Sequence, residues 1–191
     1  MSFTDLTPRD VLLHRLALNG IAWPTYRRFV RGLGLRGDER VLDFGSGSGA
    51  EARYLAPLLE RGGGHLTCVD ISPVWLAEIR KVLRRFRNVD YRLGRLWELG
   101  LSAASYDAIV AHYVLHDVPV EERARVVGEF VRLLRPGGRV FTRDPSASGK
   151  GLQTVQLSHL LGGAGLDEVR ISTGRLLLVQ PFVAAVYEKR A

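Results

Sequence analysis

The sequence predicts an α/β fold in three layers, a mostly parallel sheet with helices on both faces. Three observations predict it. Short apolar runs alternate with longer stretches whose apolar residues recur at helical spacing, the order that builds strand–helix–strand units. One run, Val41-Leu42-Asp43-Phe44, passes into Gly45-Ser46-Gly47-Ser48-Gly49 and then into a helix-like segment, a strand–turn–helix junction of the kind found at nucleotide-binding crevices. The chain closes on two β-rich segments with no helix pattern between them, which predicts a hairpin and an antiparallel edge.

Taken in order, Thr7-Pro8-Arg9-Asp10 reads as a helix start, with Thr7 as N-cap and Pro8 in the first turn. An apolar stripe follows through Leu18. A second helix is expected from Trp23-Pro24 to Leu33, whose aromatics Trp23, Tyr26 and Phe29 either cover a pocket or, as is favoured, pack on the sheet. Val41–Phe44 is the first strand, and Ala50–Arg61 a crossover helix interrupted by Pro57. Leu66–Val69 is a strand running into Asp70, and Ser72-Pro73 caps a helix whose face carries Leu76, Ile79, Val82, Leu83 and Phe86. Val89–Leu93 and Tyr106–Ala111 are the third and fourth strands. Val120–Leu134 is a helix closed by Arg135-Pro136-Gly137-Gly138, and Arg139–Thr142 is the fifth strand. Leu152–Leu161 is a helix stopped by Gly162-Gly163. The closing segments centre on Val169–Thr173 and Phe182–Tyr187.

At 191 residues and 46% apolar content the chain fits a single domain, residues 1–191, with a helical leader or lid at 1–36 and a core at 37–191. No apolar run approaches the roughly twenty residues of a membrane span. The polar start, with Asp5, Pro8 and Asp10, does not read as a secretory signal. Cys68 is the single cysteine and cannot form an intrachain disulfide, so the expectation is a reduced, cytoplasmic protein. Net charge is +7, almost all of it arginine, spread along the chain; knots such as Arg84-Arg85-Phe86-Arg87 are expected on solvated helix faces, so a nucleic-acid partner is possible but not favoured.

Five blocks in order carry a family resemblance: Val41–Gly49; Val69-Asp70-Ile71-Ser72-Pro73; Tyr106–Val110 with Leu115-His116; Leu133-Leu134-Arg135-Pro136-Gly137-Gly138; and the final hairpin. On these the chain resembles the class I S-adenosylmethionine-dependent methyltransferases over nearly its whole length. The resemblance implies their Rossmann-like fold: a mostly parallel seven-stranded sheet with an antiparallel C-terminal strand. It implies S-adenosyl-L-methionine as cofactor and S-adenosyl-L-homocysteine as product. It also implies that Gly45, Ser46, Gly47 and Gly49 pass beside the methionine moiety. Asp43 would hold the loop and the ligand's ammonium, Asp70 the ribose hydroxyls, and Ile71 the adenine face. His112 would offer a backbone carbonyl to the ammonium. The chain departs from the pattern after the third strand, where the family often has Gly-Asp and this chain has Gly94-Arg95; the adenine contact then falls to the backbone N–H of Leu96, with Glu98 set aside.

Other readings of the glycines are weaker. A dinucleotide fingerprint needs its third glycine one position later, and a P-loop needs Gly-Lys-Ser/Thr. The acceptor pocket is expected at the carboxyl ends of strands four and five, where His112, Tyr113, His116 and Asp117 cluster after the fourth strand and Thr142, Arg143 and Asp144 follow the fifth. His112 or Tyr113 is the candidate base, while His116 is expected to cap or buttress the next helix. His112 and His116 straddle a strand end without partner cysteines, so no metal is expected. Ala111-His112-Tyr113-Val114 lacks the Asn/Asp-Pro-Pro-Tyr/Phe motif of base-modifying relatives. A lone Cys68 argues against arsenic methylation, and Leu115-His116-Asp117 is similar to small-molecule O-methyltransferases. The expected acceptor is therefore a small molecule, taken by a monomer or homodimer. RNA methylation and a cofactor-binding module without turnover are the alternatives.

Overall fold

A computed structural model describes residues 23–147, 151–176 and 180–191. The helix expected from Thr7-Pro8 lies outside the described residues. Seven strands form one sheet in the order β3-β2-β1-β4-β5-β7-β6, and the chain divides into two compact units, Met1–Leu99 and Gly100–Ala191.

In the first unit α1 (Trp23–Gly32) leads to β1 (Arg40–Phe44), α2 (Ala52–Gly62), β2 (His65–Asp70), α3 (Pro73–Val82), β3 (Val89–Leu93) and a 3₁₀ turn at Leu96–Glu98. The three strands are parallel; Asp43 lies opposite Cys68, and Asp70 opposite Leu93. Central strands covered on two faces need near-continuous apolar runs. Val41 and Leu42 of β1 and Leu66, Cys68 and Val69 of β2 are accordingly buried, with Leu55 and Leu59 of α2 and Ile79 of α3 beside them in the core. Tyr26 and Phe29 of α1 are buried as well, and Tyr26 packs on Ala50 and Tyr54, against the start of α2.

Two expectations about helices need correction. Pro57 does not interrupt α2, which runs unbroken from Ala52 to Gly62. The helix begun by Ser72, whose Oγ accepts from Trp75 N at 3.4 Å, ends at Val82, so Arg84–Arg87 lie beyond it rather than on a helix face.

In the second unit β4 (Tyr106–His112) is followed by α4 (Val120–Leu133), β5 (Leu134–Pro145), α5 (Thr154–Gly163), β6 (Leu166–Leu176) and β7 (Gln180–Lys189). Parallel β4 and β5 pair Tyr106 with Leu134 and then Ala108 with Arg139, so the expected turn at Arg135–Gly138 bulges out opposite Asp107. Arg135 Nη1 binds Asp107 Oδ1 there at 2.7 Å. Gly162 and Gly163 belong to the last turn of α5 rather than stopping it. The closing hairpin forms, and its antiparallel strand β7 is inserted between β5 and β6, which leaves β6 outermost. Lys189 Nζ donates to Val131 O and Leu134 O, both at 2.8 Å, tying β7 to the end of α4. Among the described residues no helix is long and apolar enough to cross a membrane.

Candidate active site

In the first unit the candidate residues gather where β1 meets α2. Gly45, Gly47 and Gly49 all have positive φ, at 71°, 50° and 74°. A Cβ on Gly49 would lie 2.8 Å from Ile79 Cγ1, so that position needs glycine for space as well as for torsion. The loop is tied to β2. Gly45 N and Ser46 N donate to Val69 O at 2.8 and 3.1 Å, and Gly47 N donates to Asp70 Oδ2 at 2.8 Å. Ser46 Oγ donates to Asp43 O at 2.9 Å.

These contacts redistribute the expected roles. The side chain that holds the loop is Asp70, whose Oδ1 also accepts from Ser72 N at 2.8 Å. The Asp43 carboxyl, at 0% exposure, has no hydrogen-bond partner for either oxygen among the described residues. Burial, reinforced by the charge of Asp70, pushes it from 3.8 up to about 7. Glu51, in the turn that opens α2, is also buried, and burial with the charge of Asp43 raises it well above 4.5. Ile71 is 56% exposed, Leu96 is buried, and Arg95 is exposed with its guanidinium 5.8 Å from the Trp97 ring centre.

The second unit holds the other set. His112 is the buried last residue of β4, with its ring edge-on to Tyr113 at 4.8 Å between centroids. Burial, together with the Arg143 guanidinium, pushes His112 well below 6.5. Tyr113 has a φ of 55°, a strained left-handed conformation for an aromatic residue, and its N–H donates to Arg143 O at 2.6 Å. Its hydroxyl, raised above 10 by burial, lacks a hydrogen-bond partner among the described residues. Arg143 lies over the Phe182 ring at 4.5 Å.

The strongest geometry belongs to His116, expected to be structural. Its Nδ1 meets Asp144 Oδ1 at 2.8 Å, and its backbone N–H donates to the same oxygen at 3.1 Å. A carboxylate accepts, so Nδ1 carries the proton that points at Asp144. Nε2 faces Asp117 Oδ1 at 3.4 Å, while Arg123 Nη2 donates to His116 O at 2.9 Å. Burial pushes His116 down, but the Asp144 hydrogen bond and the charges of Asp117 and Asp144 outweigh it, and the net direction is upward from 6.5. Asp144 is fully buried and is itself raised from 3.8 by burial, against the pull of His116. The sequence signal for this pair was its position just past the expected fourth and fifth strands; Asp144 in fact belongs to β5, and the pairing of the two strands was invisible.

A family model described as a methyltransferase domain matches residues 42–142, which run from β1 into β5. The chain belongs to that family, the class I S-adenosylmethionine-dependent methyltransferases. Two curated methyltransferases are similar in sequence: arsenite methyltransferase of Halobacterium salinarum, 34% identical over 108 residues, and demethylmenaquinone methyltransferase of Tropheryma whipplei, 36% identical over 111 residues. Each match covers 56% of this chain, but 27% and 42% of those proteins. The structure of phosphoethanolamine N-methyltransferase 2 from Haemonchus contortus in complex with S-adenosyl-L-methionine superposes on all of this chain and 60% of that one, with TM-score 0.80 at 15% identity. At that identity the likeness concerns the fold alone.

Proposed function

We propose that this methyltransferase domain moves a methyl group from S-adenosyl-L-methionine to a small-molecule acceptor carrying an ionisable O–H or N–H, releasing S-adenosyl-L-homocysteine. The observation that carries the reading is the buried Asp43 carboxyl, without a hydrogen-bond partner among the described residues, beside three left-handed glycines. Such a group demands a cationic partner, and the ammonium of the cofactor's amino-acid end fits that demand. Gly45–Gly49 would lie against the ligand through bare backbone, and the remaining lone pairs of Asp70 would take the ribose hydroxyls. Ile71, with its exposed side chain, is suited to the adenine face, and Leu96, its side chain buried, could offer only its backbone N–H.

When bound, the cofactor supplies an electrophilic methyl already activated by its sulfonium charge. What the protein adds is alignment and removal of the acceptor's proton. His116 is the base this geometry favours over His112, because Asp144 fixes its tautomer and stabilises the imidazolium that forms. Tyr113, held at a strained left-handed φ, would orient the acceptor. The relatives' printed acceptors, a quinone precursor and arsenite, are small molecules. Arsenite is the poorer guide here, since this chain supplies one thiol, buried Cys68.

The test is transfer of labelled methyl to a panel of phenols, quinols and amines by wild type and His116→Asn. A loss of roughly 10²–10⁴-fold in kcat/KM, with S-adenosylhomocysteine binding unchanged, is expected. Full activity of His116→Asn would remove the base assignment, and failure of wild type to bind S-adenosylhomocysteine would remove the whole reading.

One observation favours RNA as a second acceptor class. Arg80, Arg84, Arg85, Arg87, Arg92 and Arg95 are all exposed, and Arg80, Arg85 and Arg95 lie over the rings of Tyr91, Phe86 and Trp97. Methyl incorporation into total RNA, falling steeply with salt, would move the proposal there.

A further inference from the structure

The positive charge expected to be spread along the chain is concentrated. Residues 77–95 carry seven basic side chains against two acidic, so five of the seven net charges lie in about a tenth of the length. All seven basic side chains are exposed. Both acids are already engaged, Glu78 with Lys81, and Asp90 with His65 at 3.2 Å and Arg92 at 3.8 Å. Ordinary duties account for part of the set. Arg80 and Lys81 in the last turn of α3 complement its dipole, and Arg92 on the outermost strand β3 discourages edge pairing. Arg84, Arg85 and Arg87 lie past the helix end and before the strand, where neither duty applies. Like charges packed so closely repel one another, and an anionic partner relieves that repulsion.

An exposed apolar side chain stands among these charges. Val89, Tyr91 and Leu93 alternate onto one face of β3, which is buried at Val89, half-buried at Tyr91 and 49% exposed at Leu93. Arg80 lies over the Tyr91 ring at 5.1 Å, which puts the end of α3 along that same face. Arg85 lies over the half-buried Phe86 ring at 4.7 Å. For a docked partner, as distinct from an acceptor, these stacks count against single-stranded nucleic acid. Such strands lay their bases on bare aromatic rings, and a half-buried ring with a guanidinium over it offers no such platform. Lipid phosphates ask only for the outward N–H groups of the guanidinium, and an apolar tip such as Leu93 gains by entering the headgroup layer. We propose that the end of α3, the turn at 83–88 and β3 form a surface that docks this protein on an anionic lipid bilayer, with the arginines against the phosphates and Leu93 inserted. A cluster of this size suffices, since each basic residue at such a surface adds roughly fivefold in affinity. The inference stands apart from the proposed reaction, because neither cofactor nor acceptor enters it.

The experiment is flotation of the full chain with two kinds of vesicle, phosphatidylcholine alone and phosphatidylcholine with added phosphatidylglycerol. Each is run at about 0.1 M and about 1 M salt, between which the screening length falls from roughly 10 to roughly 3 Å. Wild type is expected to float with the anionic vesicles at the lower salt only, and to stay behind with the neutral ones. The triple variant Arg84→Gln, Arg85→Gln, Arg87→Gln should bind anionic vesicles on the order of 100-fold more weakly. Leu93→Ser should bind these vesicles more weakly too, yet elute from heparin at the same salt as wild type, because heparin reads charge without insertion. No flotation of wild type with anionic vesicles at the lower salt would overturn the inference. Equal flotation of wild type and the triple variant would also overturn it, placing the contact elsewhere on the chain. So would tighter binding of RNA than of anionic vesicles together with vesicle binding undisturbed in Leu93→Ser, which would make nucleic acid the partner. Every substituted position is exposed, circular dichroism checks the fold of each variant, and the comparison of neutral with anionic vesicles needs no variant at all.

Discussion

Burial, with the charge of Asp70 and against the Ser46 hydroxyl, raises the Asp43 carboxyl to about 7, so its stability signature has a definite sign. The folded state holds the proton up to about pH 7, whereas the unfolded chain releases it near 3.8. Folding stability therefore falls as pH rises between those values, and none of that loss occurs in Asp43→Asn. The stability of Asp43→Asn relative to wild type should grow by on the order of 2–3 kcal/mol between pH 5 and pH 8. Urea unfolding of the unliganded proteins at the two pH values measures it; a difference that does not change with pH would mean the buried carboxyl is charged throughout. His116 has the opposite logic, because it must be neutral to accept a proton. With its pKa above 6.5, kcat/KM should fall as pH drops through that value, and Asp117→Asn should move the falling limb to lower pH by removing one of the two raising charges. A limb that stays in place in Asp117→Asn would exclude His116 as the titrating base. At this scale the sequence was legible where the site is local. Asp43 and the glycines lie in one nine-residue stretch, and Asp70 follows at the next strand end. His116 and Asp144 are 28 residues apart, and only the parallel pairing of β4 with β5 brings them together.

The elements themselves were legible because their burial is one-sided or complete, and both leave a period in the sequence. Their ends were less so, since propensity and tertiary contact compete there. Pro57 is tolerated within α2, and Gly162-Gly163 within α5, against local expectation. Two glycines show what decides such cases. Gly128 sits exposed inside α4 with nothing within 4 Å of a Cβ, so alanine there meets no obstacle. Gly128→Ala should stabilise the protein by about 1 kcal/mol, the helix-propensity difference. Gly62 ends α2 with a would-be Cβ 2.3 Å from Gly37 C and 2.5 Å from Gly37 O, backbone atoms that cannot rotate away. Gly62→Ala should cost about 1–3 kcal/mol. Thermal unfolding of the two variants tests both signs at once, and a stabilised Gly62→Ala would show that the α2 end does not pack as closely as drawn.

For the molecule as a whole, alternation of strands and helices announced a parallel sheet, and the closing hairpin announced an antiparallel strand. The place of that strand was not readable, because β7 pairs with β5 across the whole of α5 and β6, and pairing at such separation leaves no period in the chain. The family blocks identify the methyl donor for the same reason that they were visible: they are short, and each lies at a strand end. The residues proposed for the acceptor, Tyr113, His116 and Asp144, come from separate segments, and no single block marks them. Donor binding, however, has a reading at the scale of the whole fold. Ligand that binds the native state and not the unfolded chain stabilises by mass action, about 2.7 kcal/mol at a hundred times Kd. For a chain of this size that corresponds to a rise of roughly 5–10 °C in Tm. S-adenosylhomocysteine at that saturation should produce it in wild type and not in Asp43→Asn, although the stability of the unliganded variant relative to wild type rises from pH 5 to pH 8. Opposite effects of one substitution separate a residue kept for binding from one kept for folding. A variant that is stabilised by the ligand as strongly as wild type would show that Asp43 does not hold it, and the buried carboxyl would then need another cation.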